Sequence, residues 1–278
     1  MGPQRVTVSR VCGGGLRGAF WLLAIGAFLG LSSCAPRRVA LPQDAGAPMA
    51  DAAAVHAEAS ATCRGLRTFT AELGLSGQVG ENRVRGRVIA GFQRPGSMRL
   101  EGVAPFGPSA FILAARPGAA VLLLPRDERV VRDTEASSVL GALTGVPLSP
   151  ADLLAALTGC VVPEPVVAAG RLHDKGWASL DLGNGATMYL RRVGGRWQPR
   201  AARRPAWDIE YDLWEGGLPR AVRLRSTGAS TPVTLSVGVS QVETNVDIME
   251  SAFTLAVLPG TGVLTVEELR RVGPLRDR

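Results

Sequence analysis

The sequence predicts a mostly β, α+β domain with its chain threaded as an antiparallel meander. Three observations predict it. From Phe69 onward apolar and polar residues alternate with a period of two, the mark of strands with one face buried. Turn signals recur at short intervals between those runs. Two short amphipathic stretches with their own helix start and stop signals then interrupt the β pattern once, near the middle of the chain.

Ahead of the domain, the apolar run Ala19 to Leu31 ends in Leu31-Ser32-Ser33-Cys34. Arg5, Arg10 and Arg17 precede it without an acidic residue. The run is too short to span a bilayer, and small side chains stand before the cysteine, so residues 1–33 read as a secretory signal with a lipoprotein cleavage site. Cys34 then becomes the N-terminus and the lipidation site. Two or three acyl chains, each gaining about 0.8 kcal/mol per buried methylene, anchor a protein without help from its folded part. The competing reading is an ordinary or uncleaved secretory signal. Ala35, where an aspartate would retain a lipoprotein at the inner membrane, resembles bacterial lipoproteins forwarded to the outer membrane.

Composition narrows the partners. Loss of residues 1–33 lowers the formal charge from +7 to +4, and with Lys175 the sole lysine the basicity is arginine. No basic helix or aromatic-interleaved stripe accompanies it, so nucleic acid is not an expected partner; mild basicity suits anionic lipid. Of four cysteines, Cys12 leaves with the signal and Cys34 is acylated. Cys63 and Cys160 remain, in an oxidising compartment, either joined or buried separately as small core residues. No C-x-x-C or Cys/His cluster exists, so neither a metal nor a cofactor is expected.

In chain order, residues 34–49 read as a Pro/Ala-rich tether that spans about 50 Å fully stretched, and residues 50–278 as a single domain. Ala50 to Arg67 reads as a first helix, with Val55, Ala59, Thr62 and Leu66 on one face and His56 solvated. In Arg83 to Phe92, Val84, Val88, Ala90 and Phe92 fall on one face and Arg83, Arg85 and Arg87 on the other. Strands follow at Ser97 to Val103, Ala110 to Ala115, Ala119 to Leu124 and Arg129 to Arg132. Glu135 to Thr144 is the first interrupting helix, stopped at Gly145. Ser149-Pro150-Ala151-Asp152 is a capping box that opens the second, which ends at Gly159. Such a pair either closes the open side of a curved sheet or simply covers core.

Strands resume at Trp177, with His173 before them as a turn residue. Asp208, Glu210 and Asp212 share one strand face, with Ile209, Tyr211 and Leu213 on the other. A cation or acid/base site is one reading of the carboxylates; a cross-strand ladder with Arg223 and Arg225 is the plainer one. Arg191, Arg192, Arg196, Arg200, Arg203 and Arg204 crowd a Gly/Pro-broken segment, either a solvated loop and strand face or a patch for lipid head groups. Val233 to Ser240 and Phe253 to Val257 are the last strands. Thr265-Val266-Glu267-Glu268 is a capping box, with Leu264 and Leu269 as a staple, and Gly273-Pro274 stops that helix. With two histidines, no nucleophile elbow, no phosphate loop and no zinc spacing, the pattern points away from an enzyme.

The run Leu100-Glu101-Gly102-Val103-Ala104-Pro105-Phe106-Gly107-Pro108-Ser109-Ala110-Phe111-Ile112-Leu113, then Arg116-Pro117-Gly118 and Leu143-Thr144-Gly145-Val146-Pro147-Leu148-Ser149-Pro150, resembles the LolA/LolB families, and LolB, the outer-membrane lipoprotein receptor family, in particular. The resemblance covers about Phe69 to Gly159, under half of the domain. It implies an eleven-stranded, unclosed antiparallel half-barrel with short helices as a lid over a cavity that holds acyl chains. It also implies an apolar residue on one loop that enters the membrane or meets cargo, here Phe106. The expected function is a lipid-anchored outer-membrane lipoprotein, facing the periplasm, that binds acyl chains of lipoproteins or phospholipid, receives them from a periplasmic LolA-like carrier, and helps insert lipidic cargo. The alternative is a non-enzymatic assembly or scaffold lipoprotein of the same fold. A dry leucine/valine-lined hollow marks the first; a core filled by Trp177, Trp197, Trp207 and Trp214 marks the second.

Overall fold

A computed structural model describes residues 38–227 and 232–272. The signal at 1–33, Cys34 and the stop at Gly273-Pro274 lie outside the described residues. From Val39 the described residues belong to one compact unit.

The N-terminal half runs β1 (Ala47–Pro48), α1 (Ala52–Ala59), α2 (Ala61–Arg64), β2 (Thr68–Val79), β3 (Asn82–Gln93), β4 (Ser97–Val103), β5 (Phe111–Arg116), β6 (Ala119–Leu124) and β7 (Arg129–Thr134). Helices α3 (Ala136–Thr144) and α4 (Pro150–Thr158) follow. The second half runs β8 (Ala169–His173), β9 (Trp177–Asp181), β10 (Thr187–Val193), β11 (Arg196–Arg204), β12 (Trp207–Glu215), β13 (Leu218–Ser226), β14 (Val233–Thr244), β15 (Gly262–Val263) and α5 (Val266–Val272).

All strands of the described residues form one fifteen-stranded sheet in the order β1-β8-β9-β10-β11-β12-β13-β14-β2-β3-β4-β5-β6-β7-β15. Its ends, β1 and β15, do not meet, so the sheet is unclosed. Two sequential meanders, β2–β7 and β8–β14, are joined side by side where β14 pairs with β2 from Val233↔Val79 to Thr244↔Phe69. The two strands of this seam, β14 and β2, and β3 beside β2 are each twelve residues long. Alternation decides the faces: Val84, Val88, Ala90 and Phe92 of β3 are buried while Arg83, Arg85 and Arg87 are exposed, because successive side chains point to opposite sides. The helices α3 and α4 occupy the connection between the meanders and pack into the common apolar core.

Several expectations change. Eleven strands become fifteen, two of them two-residue pairings at the ends, and β15 pairs with β7 in parallel. The tether is docked over its last part: Ala47 and Pro48 pair with Leu172 and Arg171, and Met49 is buried. His173 closes β8, with Nδ1 2.9 Å from Asp44 Oδ1 and Nε2 2.8 Å from Ser179 Oγ. The hydrogen bond from the imidazole lowers the Asp44 pKa. The first helix breaks at Ser60, and His56 is buried with Ala52 and Val55. Positions 52, 55, 56 and 59 form an i, i+3, i+4, i+7 face, so His56 falls on the core side.

In β12, Leu213 sits at φ 53° and is 67% exposed. The alternation flips there, and Trp214 instead packs edge-on to Tyr211 at 6.0 Å. The arginine-rich segment is the β10–β11 hairpin, with Arg191 and Arg192 in β10 and the other four in β11, and its pairing shifts between Tyr189 and Leu190. Phe253 to Val257 is not a strand: Glu250–Phe253 is a 3-10 turn, and Phe253 is buried. This C-terminal strap crosses β4 and β5 on the outer face, where Arg99 Nη1 donates to Ala252 O at 3.2 Å, and then reaches the β7 edge. Leu269 of α5 is fully buried against the core and α5 packs on α3.

Candidate functional site

Inside the curved sheet, beneath α3 and α4, lies an apolar hollow of about 90 Å³. Leu73, Val88 and Leu100 reach it from the first meander, and Leu224, Leu235 and Val237 from the second. Leu140 and Leu143 of α3, Leu153 and Leu157 of α4, and Val146 and Leu148 of their linker close it. Thr144 is the single polar residue in the lining, and its hydroxyl is spent locally, donating to Leu140 O at 2.8 Å. None of the four tryptophans of the second half enters the lining. Trp177 and Trp207 are buried elsewhere, and Trp197 and Trp214 are half-buried near α2.

Ligand pockets usually start near about 300 Å³, so the hollow is closed against an acyl chain in this arrangement, and the lid would have to lift to admit one. The two lid helices are held differently. At the start of α4, Ser149 Oγ accepts from Asp152 N at 3.1 Å and donates to Asp152 Oδ2 at 2.7 Å. The other oxygen of Asp152 meets Arg204 Nη1 at 2.8 Å. That guanidinium lies 4.6 Å from the Trp207 ring centroid and also donates to Val161 O at 3.3 Å. At the other end of α4, Gly159 at φ 84° turns the chain into Cys160, and Cys160 is joined to Cys63 of α2 with an S–S distance of 2.04 Å. Among the described residues no ion pair ties α3 to the sheet. It is capped by Gly145 at φ 76° and held by apolar contacts, α5 among them.

Phe106 stands apart from the hollow. It lies on the β4–β5 loop and is 87% exposed. Its ring does not fold back onto Phe111, which is buried and lines the hollow. The loop itself is fixed, since Arg126 Nη2 donates to Phe106 O at 2.6 Å and Arg126 Nε to Pro108 O at 3.4 Å.

The carboxylates of β12 take the ladder form. Glu210 and Arg223 are opposite in register and 3.3 Å apart, Asp208 lies opposite Arg225, and Asp212 pairs with Arg200 at 3.4 Å. Arg191, Arg192 and Arg203 lie over Trp177, Trp197 and Tyr189 at 5.8, 5.1 and 5.7 Å, so most of the arginine-rich segment is neither loop nor loose patch. Burial overturns the solvated reading of His56 and also encloses the phenol of Tyr211. His56 Nε2 and Tyr211 Oη lack partners; burial first, then the Arg64 charge, lowers the His56 pKa, and burial raises that of the Tyr211 phenol.

Comparison with solved structures places the architecture. A LolA superfamily protein from Nitrosomonas europaea superimposes with a TM-score of 0.51 at 10% identity, covering 73% of this chain and 97% of that one. The fold is LolA-like. A DUF1329 family protein from Desulfovibrio piger gives a TM-score of 0.47 at 12% identity, and a domain named for outer-membrane lipoprotein sorting from Vibrio parahaemolyticus gives 0.43 at 10%. Each covers 73% of this chain and 97% of its own. No family model and no curated protein matches the sequence. The likeness is to the superfamily's fold; LolB is not singled out within it.

Proposed function

We propose that this chain is a lipid-anchored envelope protein that takes acyl chains into the hollow beneath α3 and α4 and helps lodge lipoproteins or other lipidic cargo in the outer membrane. The observation that carries the reading is the leucine/valine lining, closed by helices instead of tryptophan. Moving apolar surface from water into such a space is favourable by about 25 cal/mol per Å², and exchange among two cavities and a bilayer needs no covalent step. Cys34 supplies the anchor, Phe106 the membrane or cargo contact, and a periplasmic LolA-like carrier the cargo. Cys34→Ala should release the protein from membranes; unchanged fractionation after a carbonate wash would refute the anchor.

The small volume favours a second reading, a scaffold or assembly lipoprotein that keeps the fold without carrying lipid. Native mass spectrometry of protein purified without detergent separates the two. Co-purified lipid or acylated peptide supports the carrier. An empty protein that also takes up no lipid from vesicles leaves the scaffold.

A further inference from the structure

A second apolar side chain reaches solvent at the same end of the sheet as Phe106. Leu258 is 79% exposed and opens the turn Leu258 to Thr261, in which Thr261 N donates to Leu258 O at 3.2 Å and Gly260 has φ 88°. The pairing fixes where that turn lies. The β4–β5 loop begins after Val103, the β6–β7 turn after Leu124, and β15 runs parallel to β7 with Gly262 opposite Arg129. Gly262 N donates to Glu128 O at 3.1 Å, and Arg126 in the same turn holds the Phe106 loop through two carbonyls. Phe106, Arg126 and Leu258 therefore share one rim. The α3–α4 linker belongs to that end as well, because a side chain at Gly145 would meet Val233 and Val79, the residues at the open end of the β14–β2 pair.

We propose that Leu258, carried by the C-terminal strap, is a second bilayer-entering side chain, so that the rim docks on the lipid interface at two points, at the end of the sheet where the α3–α4 linker lies. It rests on the reading of Phe106 as a membrane contact. A bilayer is the occupant the chemistry fits. Two separate apolar tips on glycine turns cannot supply the roughly 800 Å² per partner of a stable protein interface, yet each suits partition into the head-group boundary. Arg83 and Arg85 of β3 run past the end of β4, since Val103 already pairs with Arg87. Both are exposed beside the Phe106 loop, and among the described residues neither has an ion pair, which leaves them for lipid phosphates. Glu81, Asp127 and Glu128 share the rim, so the tips and not net charge carry the contact.

The test uses the full-length lipoprotein in vesicles of phosphatidylethanolamine and phosphatidylglycerol with acyl-brominated lipid as quencher. Phe106→Trp, Leu258→Trp and Met249→Trp are compared with the parent. Met249 is equally exposed, 79%, and follows β14 at the opposite end of the sheet. The expected result is added fluorescence that the brominated chains quench at positions 106 and 258 and leave untouched at 249. Quenching at 106 without quenching at 258 overturns the second contact and leaves Phe106 standing. Quenching at all three overturns rim-specific docking. Quenching at neither 106 nor 258 overturns both membrane contacts, whereas the carrier reading is judged separately by lipid co-purification. Leu258→Glu should lower vesicle delivery of cargo about tenfold, the scale set by losing one buried leucine, with cargo uptake retained.

Discussion

Filling the hollow separates storage space from packing slack. Leu235 and Val237 are alternate residues of β14, both buried and both in the lining, so Leu235→Phe with Val237→Phe directs two rings into the space from a strand that favours aromatics. An empty cavity costs about 24 cal/mol per Å³, and applied to 90 Å³ this gives a ceiling of about 2 kcal/mol to be recovered. For a domain of this size that corresponds to a rise of roughly 4 to 8 °C in melting temperature. The assay is chemical and thermal denaturation of the detergent-free protein, read beside lipid uptake from vesicles. The expected outcome is equal or greater stability with uptake lost. Destabilisation by the 1–3 kcal/mol typical of overpacking would show that no usable space exists there. Undiminished uptake would place the cargo elsewhere.

Three further outcomes are expected. Phe106→Glu should leave stability within about 0.5 kcal/mol, as exposed substitutions do, and abolish delivery while cargo binding persists; unfolding, or normal delivery, would refute the assignment. Cys63 and Cys160 close a loop with a sequence separation of 97, worth about 4 to 5 kcal/mol in the chain-entropy account, so Cys63→Ser with Cys160→Ser should fall by a large part of that, and two labelled thiols in denatured, unreduced parent protein would end the idea. Because burial depresses the folded pKa of His56 below 6.5, the unfolded chain takes up a proton first as pH falls, so its share of stability is intact above that value and lost as pH drops towards the folded pKa; His56→Leu should flatten that decline, and an unchanged pH profile would exclude His56 as its source.

Legibility in the sequence followed how local each signal was. Strands β3 to β7 announce themselves by alternation between Pro/Gly turns, and α4 by Ser149 and Asp152, whose side chains do make the cap. The elements that escaped depend on distant partners. Pro48 reads as tether and pairs only because Arg171 is there to receive it. Pro199 and the surrounding arginines break any strand pattern in β11, yet pairing with β10 absorbs the proline at a register shift and aromatic rings cover the guanidiniums. Phe253 reads as strand because its neighbours are apolar, but it is buried where the strap crosses the outer face, beside the Arg99 to Ala252 hydrogen bond. The hollow was legible as a class of lining and not as a list, since Leu73, Leu143 and Val237 meet only through the β14–β2 seam and the lid.

The way the lid is fastened bears on how a chain could enter. Around α4, the Arg204–Asp152 pair is about three-quarters or more covered on both sides, with 20% and 23% exposed, and breaking such a pair strands a partly buried charge, a cost greater than that of an exposed bridge. The link from Cys160 to Cys63 fixes the other end. Lifting α4 would therefore break a charge pair and strain a covalent tie. Lifting α3 exposes Leu140 and Leu143, which an acyl chain entering the hollow would cover again, so the apolar area lost by the helix is offset by the area gained on the cargo. The resistance to that movement comes from α5, whose fully buried Leu269 sits at the end of the strap that also carries Leu258. The segment that holds α3 down is thus continuous in the chain with the rim nearest Phe106, with fewer than fifteen residues between Leu258 and Leu269.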